Sequence, residues 1–228
     1  KIREDSLYEV INKIDDTLDE LSHIIKVGAK DLIENIEPGK INVFDLSEVD
    51  EEVADAIVSN ILKHALDERK KSVRGKDSKL DYPLLVVVEE AHILAGDKRD
   101  TDSKYYMTRI AREGRKFGLG LCIVTQRPKG LDKEVLSQMN NMIILKLVEP
   151  EDQKHVQSAS EALSSELMSY LPSLNPGEGI IIGNMTKLPL LVKIDKAKGK
   201  LQGNDIPVVD IWSKTQEKRG DLSVLDEL

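Results

Sequence analysis

The sequence predicts an α/β fold with a mainly parallel sheet flanked by helices, and three observations carry that expectation. Leu84-Leu85-Val86-Val87-Val88 is an unbroken apolar run rich in β-branched residues, the pattern of a strand buried on both faces of a parallel sheet. Between residues 84 and 147, strand-like runs alternate with helix-like periods. The apolar runs also end abruptly in acids, amides and hydroxyls, as strands do where an open parallel sheet meets its ligand.

Taken in order, the first element is helical. Leu7, Val10, Ile11, Ile14, Leu18, Leu21 and Ile25 recur at three- and four-residue spacing, so residues 6–36 read as an amphipathic helical region. Ser6 and Glu9 have the spacing of a capping box, Gly28 marks a division into two helices, and Pro38-Gly39 stops the pattern. The apolar stripe needs a partner, so a helical hairpin or bundle is expected over 1–38. Residues 41–46 read as a strand, and Ser47 reads as the cap of a helix from about Glu51 to Arg69. Residues 70–82 are polar and basic and read as an exposed loop. After the strand at 84–88, the pattern gives a helix at 103–116, a strand at 119–124, a short helix at 132–138 and a strand at 142–147. Short helices at 150–158 and 164–170 precede a hairpin, 179–183 with 188–194, turning at Asn184-Met185-Thr186. From Lys196 the chain is polar and irregular, with Trp212 as its bulky anchor. The division expected is therefore 1–38 helical, 39–195 α/β core and 196–228 tail.

Composition narrows the class. The 228 residues are 40% hydrophobic and 32% charged, which fits a globular chain and excludes wholesale disorder. No apolar run reaches bilayer-spanning length, so no membrane partner is expected. A single cysteine, Cys122, excludes an intrachain disulfide and points to a reducing, cytoplasmic setting. Within its apolar run it reads as a small buried residue rather than a nucleophile. The four histidines, His23, His64, His92 and His155, have no metal-ligand spacing.

A net charge of −8 argues against a nucleic-acid coat protein, but the charge is uneven. The stretch from Lys63 to Lys133 carries 17 Lys and Arg against 11 Asp and Glu, whereas the remainder carries 16 against 30. A phosphate-rich partner is compatible with that basic excess, as is a solvated charged face.

Three constellations carry chemistry. Glu89 and Glu90 follow directly on the run Leu84–Val88, at the strand end where α/β sheets bind ligands. Such a pair suits nucleotide hydrolysis: Glu89 would hold Mg²⁺ through water, and Glu90 would orient or deprotonate the attacking water. The second is Thr108-Arg109-Ile110-Ala111-Arg112-Glu113-Gly114-Arg115-Lys116-Phe117-Gly118, where Arg109, Arg112 and Arg115 fall at three-residue spacing. On one helix that spacing lines guanidinium groups along a face, and a rigid cationic fork suits charge developing on a phosphoryl group. The third is Leu121-Cys122-Ile123-Val124-Thr125-Gln126-Arg127-Pro128, a strand whose Gln126 would sense a γ-phosphate or position water.

In this order and spacing the three runs resemble the HerA group of the HerA/FtsK superfamily of hexameric DNA translocases. The likeness extends from about Ile41 to Ile194. It implies a RecA-like P-loop NTPase core using ATP and Mg²⁺, with Glu89 as the Walker B acid, Glu90 as the catalytic glutamate and Gln126 at the sensor position. It implies that Arg115, with Arg112 beside it, reaches a neighbouring subunit's nucleotide. For partners it implies double-stranded DNA, further copies in a hexamer and a NurA-type nuclease in DNA end resection. Residues 6–36 resemble a helical insertion between the Walker A and Walker B halves, and the C-terminal tail resembles a segment that braces adjacent subunits.

One departure is large. No Gly-x-x-x-x-Gly-Lys-Ser/Thr occurs in the chain, and Gly75-Lys76-Asp77-Ser78 lacks both the spacing and a preceding strand. The core is therefore expected to be incomplete. The start without methionine reads as a fragment, and this chain alone is expected to be inactive. Lys98 and Arg99, just beyond the acidic pair, are candidates for DNA contact, as is the basic stretch 69–79. Two other readings stay open: a non-catalytic scaffold or oligomerisation subunit, and a secretion-type ATPase of the same superfamily.

Overall fold

The computed structural model describes residues 4–21, 32–160, 162–199, 208–209 and 211–213. The chain divides into two compact units, Lys1–Lys193 and Ile194–Leu228.

In the first unit, helix α1 spans Glu4–Leu21. Ser6 lies inside it rather than at its cap, since the helix includes Glu4, three residues before the start that the capping spacing predicts. The expected apolar stripe forms but is uncovered: Leu7, Val10, Ile11 and Ile14 are all exposed. The division expected at Gly28 lies outside the described residues. Leu32–Asn35 forms a 3₁₀ turn that buries Ile33, and Gly39 takes a left-handed φ of 72° where the helical pattern stops.

Residues 41–46 are not a strand. The segment has no regular structure and pairs with no strand among the described residues, and Ile41 and Val43 are 93% and 81% exposed. Alternation supplies the strand period but not the partner edge that makes it a ladder. Nor does Ser47 cap a helix. Its N–H bonds Asp45 Oδ1 in a local turn, and helix α2, Glu51–Val73, begins after Asp50. The helix runs one turn past the expected end at Arg69, since that residue is buried and its side chain is bonded.

Strand β1 (Leu84–Val88) and strand β2 (Leu119–Ile123) pair in parallel, with Leu84 opposite Leu119 and Val88 opposite Ile123. Between them lie α3 (Ala91–Leu94) and α4 (Asp102–Glu113). Thr101 caps α4 by accepting the Lys104 N–H, and Asp55 of α2 accepts the N–H groups of Asp102 and Ser103. The main core joins Leu62 and Leu66 of α2 and Met107 and Ile110 of α4 to one face of β1 and β2. The opposite face is open: Leu85 and Val87 are 67% and 53% exposed. The expectation of burial on both faces therefore fails for β1 within this chain. Cys122, opposite Val87, is likewise exposed rather than buried.

The parallel sheet ends with that pair. After α5 (Lys133–Ser137), strand β3 (Asn141–Ile144) does not extend it. It pairs antiparallel with β4 (Glu178–Gly183), which pairs antiparallel with β5 (Leu190–Lys193). The sheet is thus one parallel pair and one antiparallel triplet, not mainly parallel. A second core packs Ile144, Ile180 and Ile182 against Val156 of α6 (Pro150–Ala159) and, at the end of α7 (Ser165–Tyr170), Leu171.

In the second unit, the described residues around 208–213 are helical, with Ser213 Oγ donating to the Val209 carbonyl. Trp212 is exposed.

Candidate active site at two parallel strand ends

The C-terminal ends of β1 and β2 lie side by side. Val124 N–H donates to the Val88 carbonyl, and Ala91 N–H donates to the Val124 carbonyl, so the ladder continues past both strands. Glu89 and Glu90 leave the first strand here, and Thr125, Gln126 and Arg127 leave the second. Both expected constellations therefore meet at one sheet edge. The carboxylates diverge: Glu89 faces solvent, while Glu90 is half-buried.

Glu90 carries the local geometry. Its φ of 46° and ψ of 41° make it the one non-glycine residue with positive φ among the described residues. The left-handed conformation costs a residue with a Cβ about 1 kcal/mol or more. It turns the chain directly from β1 into α3, whose Ala91 and Leu94 are buried and fix the turn from below. Strain held in place by packing is a common feature of functional sites. Glu90 Oε2 is screened from solvent and accepts no hydrogen bond among the described residues. It lies 3.3 Å from His92 Nδ1, off the line a hydrogen bond requires. The same ring nitrogen is 3.1 Å from Thr125 Oγ1, which also accepts the Arg127 N–H at 3.0 Å. Sequence reading gave neither His92 nor Thr125 a role. The available signals were their positions, two residues after Glu90 and one before Gln126.

The arginine constellation is rearranged. Helix α4 ends at Glu113, and Arg115 and Lys116 lie on a 3₁₀ turn, Gly114–Phe117, so the guanidinium groups do not share one helix face. Gly114, itself in helical conformation, lets this turn pack close to the start of β2: a Cβ there would stand 2.4 Å from the Leu119 carbonyl oxygen. Arg109 pairs with Glu113 at 2.7 Å, and Arg112 pairs with Glu134 of α5. Acids thus match two of the three arginines. Arg115 is exposed, and its side chain has no partner among the described residues.

The turn is anchored from α2. Arg69, buried, donates through Nε to the Phe117 carbonyl at 2.8 Å and through Nη1 to the Leu80 carbonyl at 2.9 Å. Lys70 Nζ bonds Glu113 at 2.7 Å and sits over the Phe117 ring at 5.1 Å. These contacts hold Glu113 below the usual glutamate range, chiefly through the Lys70 hydrogen bond, with Arg109 adding to it against partial burial.

Of the proposed DNA-contact residues, Lys98 is exposed, whereas Arg99 pairs with Glu51 of α2. Among the described residues no group of three or more His, Cys, Asp or Glu forms a metal cage. Two carboxylates at a strand end are still a fitting donor set for Mg²⁺, which keeps most of its waters and needs one or two protein acids plus substrate phosphates. No helix among the described residues is long and apolar enough to cross a membrane.

The family model of the central domain of helicase HerA matches residues 1–65. The DNA double-strand break repair helicase HerA of Sulfurisphaera tokodaii is 49% identical over 216 residues, 95% of this chain and 44% of that protein. The Sulfolobus acidocaldarius protein of the same name is 50% identical over the same shares. The chain thus spans less than half the length of these curated relatives. Among solved structures, VirB4 of Thermoanaerobacter pseudethanolicus has a similar fold, with a TM-score of 0.51 at 18% identity over 67% of this chain and 40% of that one. With close to half its residues identical to those of HerA proteins along nearly its whole length, the chain belongs to the HerA helicase family.

Proposed function

We propose that the chain is the C-terminal part of an ATP-driven hexameric motor that translocates along or unwinds duplex DNA, working with a NurA-type nuclease in DNA end resection. The observation that carries this reading is the meeting of Glu89, Glu90 and Gln126 at adjacent ends of two parallel strands. The names of the HerA relatives, DNA double-strand break repair helicases, agree with it.

Residue roles follow from position. Glu89, free in solvent at the strand end, would hold Mg²⁺ through water, and the bound ion would supply positive charge at the phosphates. Glu90, set apart by its turn, aligns the attacking water and takes its proton as the oxygen bonds phosphorus and ADP leaves. Gln126 faces the same edge and reads the γ-phosphate. Arg115, exposed and unpaired on its anchored turn, is the finger that reaches a neighbouring subunit's nucleotide. Arg112 is tied to Glu134 and must leave that pair to join it. Lys98 is the better of the two candidates for a DNA phosphate contact, since Arg99 is already paired. In this reading residues 1–38 belong to a helical insertion, 39–195 to the RecA-like core and 196–228 to a tail that braces neighbouring subunits. A phosphate cradle must come from outside the 228 residues, which hold no Gly-rich Lys-Ser/Thr motif.

The experiment compares ATP turnover, with and without duplex DNA, in the full-length protein and in the 228-residue chain. The proposal expects DNA-stimulated turnover from the full-length protein and none above background from the chain alone. Turnover by the chain alone, or a full-length protein indifferent to both ATP and duplex DNA, would overturn it.

A further inference from the structure

His92 is placed at the centre of the two strand ends but belongs to neither. It sits on α3, one residue past the buried Ala91, and its side chain is only 17% exposed. Glycines enclose it on two sides. A Cβ on Gly130 would meet the His92 Cβ at 3.3 Å, and one on Gly96 would meet its carbonyl oxygen at 3.1 Å. A side chain at Gly130 would crowd the His92 side chain, and one at Gly96 would crowd its backbone.

Its Nδ1 has two oxygen neighbours on different elements: Thr125 Oγ1 at 3.1 Å and Glu90 Oε2 at 3.3 Å. A ring nitrogen in its N–H form carries one hydrogen and serves one acceptor well at a time. Thr125 Oγ1 already accepts the Arg127 N–H and so has one remaining lone pair to offer. Glu90 Oε2 is screened from water and has no other donor among the described residues. A screened carboxylate oxygen without a donor is costly, and at 3.3 Å a reorientation of the carboxylate or the ring is enough to align the His92 N–H with it.

We infer that His92 is the positioning residue of this site: through Nδ1–H, shared between Glu90 and Thr125, it couples the orientation of the catalytic carboxylate to the strand end that carries Gln126. The inference rests on the ATP-site reading above. His92 touches neither the nucleotide nor the attacking water. It sets the angle at which Glu90 meets the water, and Thr125, bonded to the loop that follows it, reports that loop's position to Glu90. Residues that orient a functional group in this way commonly matter by about ten- to a hundred-fold in activity. Such a residue lowers kcat and leaves nucleotide binding nearly unchanged.

The test uses the full-length protein with Glu90→Gln, His92→Phe, His92→Asn and Thr125→Val, each checked for its wild-type melting curve. Asparagine places an amide N–H near the position of Nδ1, whereas phenylalanine fills the space without a donor. The expected result is that His92→Phe lowers kcat about ten- to a hundred-fold with KM for ATP changed less than about three-fold. His92→Asn should recover most of that loss, and Thr125→Val should fall between. If Glu90→Gln abolishes turnover but His92→Phe and His92→Asn turn over alike, the ring only fills space and the inference is overturned. If Glu90→Gln itself turns over normally, the ATP-site reading fails, and this inference with it. Should His92→Phe not fold, the Thr125→Val result decides: unchanged kcat overturns the coupling.

Discussion

Glu90 combines two properties that do not favour stability, a left-handed backbone and a screened carboxylate oxygen without a hydrogen bond. Glycine is the residue that takes this conformation at no steric cost, and it has no carboxylate to bury. Its presence as glutamate is therefore a cost to the fold that only the side chain's chemistry repays. Glu90→Gly is expected to raise stability by about 0.5–1 kcal/mol, the relief of the left-handed strain less the added freedom of glycine in the unfolded chain. Chemical denaturation of the chain measures it. A loss of stability would show that the glutamate makes a structural contact that outweighs its strain. Gly114 shows the opposite case, a position where any side chain would strike the Leu119 carbonyl. Its smallness lets the turn after α4, which sets Arg115 apart from Arg109 and Arg112, pack against the start of β2.

At the scale of elements, α2 is the support of the site, and its last two turns act through polar contacts. Arg69 bonds carbonyls on both sides of β1's entry, and Lys70 bonds Glu113 at the end of α4. Because Glu113 has a depressed pKa in the folded state, the stability it contributes is present above the unfolded value of 4.5. That contribution is lost as pH falls through the folded value. Urea midpoints measured from pH 6 downward are expected to drop less steeply below about pH 4.5 for Glu113→Gln than for the native chain. Parallel pH profiles would show that the Lys70 contact is not a stabilising link. None of this was legible in the sequence, where residues 70–82 read as a loop and Arg109, Arg112 and Arg115 as one face. Spacing along a chain specifies a helix face only while the helix continues, and it is silent on partners from other elements such as Glu134. By contrast, the two strands ending in Glu89-Glu90 and Thr125-Gln126 were legible almost to the residue, because burial on the core face and chemistry at the edge both mark them. Where the reading failed, at 41–46 and in the pairing of β3, the alternating pattern carried no information about a partner edge.

For the molecule as a whole, the parallel sheet has one covered face and one bare one. Leu85, Val87, Cys122 and Val124 stand on the bare side, and the apolar face of α1 is bare as well. Continuous apolar runs in the sequence signalled strands made for two-sided cover, and the described residues cover one side. This matches a chain that spans 44% of its HerA relatives and lacks a phosphate cradle. The central claim is that the edge formed by β1 and β2 is the hydrolytic half of an ATP site. Single-turnover hydrolysis of Mg²⁺-ATP by the full-length protein tests it most directly, comparing the native sequence with Glu90→Gln and recording nucleotide binding in the same samples. The account predicts that Glu90→Gln binds nucleotide as tightly as the native protein but cleaves it about a hundred- to ten-thousand-fold more slowly. Cleavage at the native rate by Glu90→Gln would contradict it.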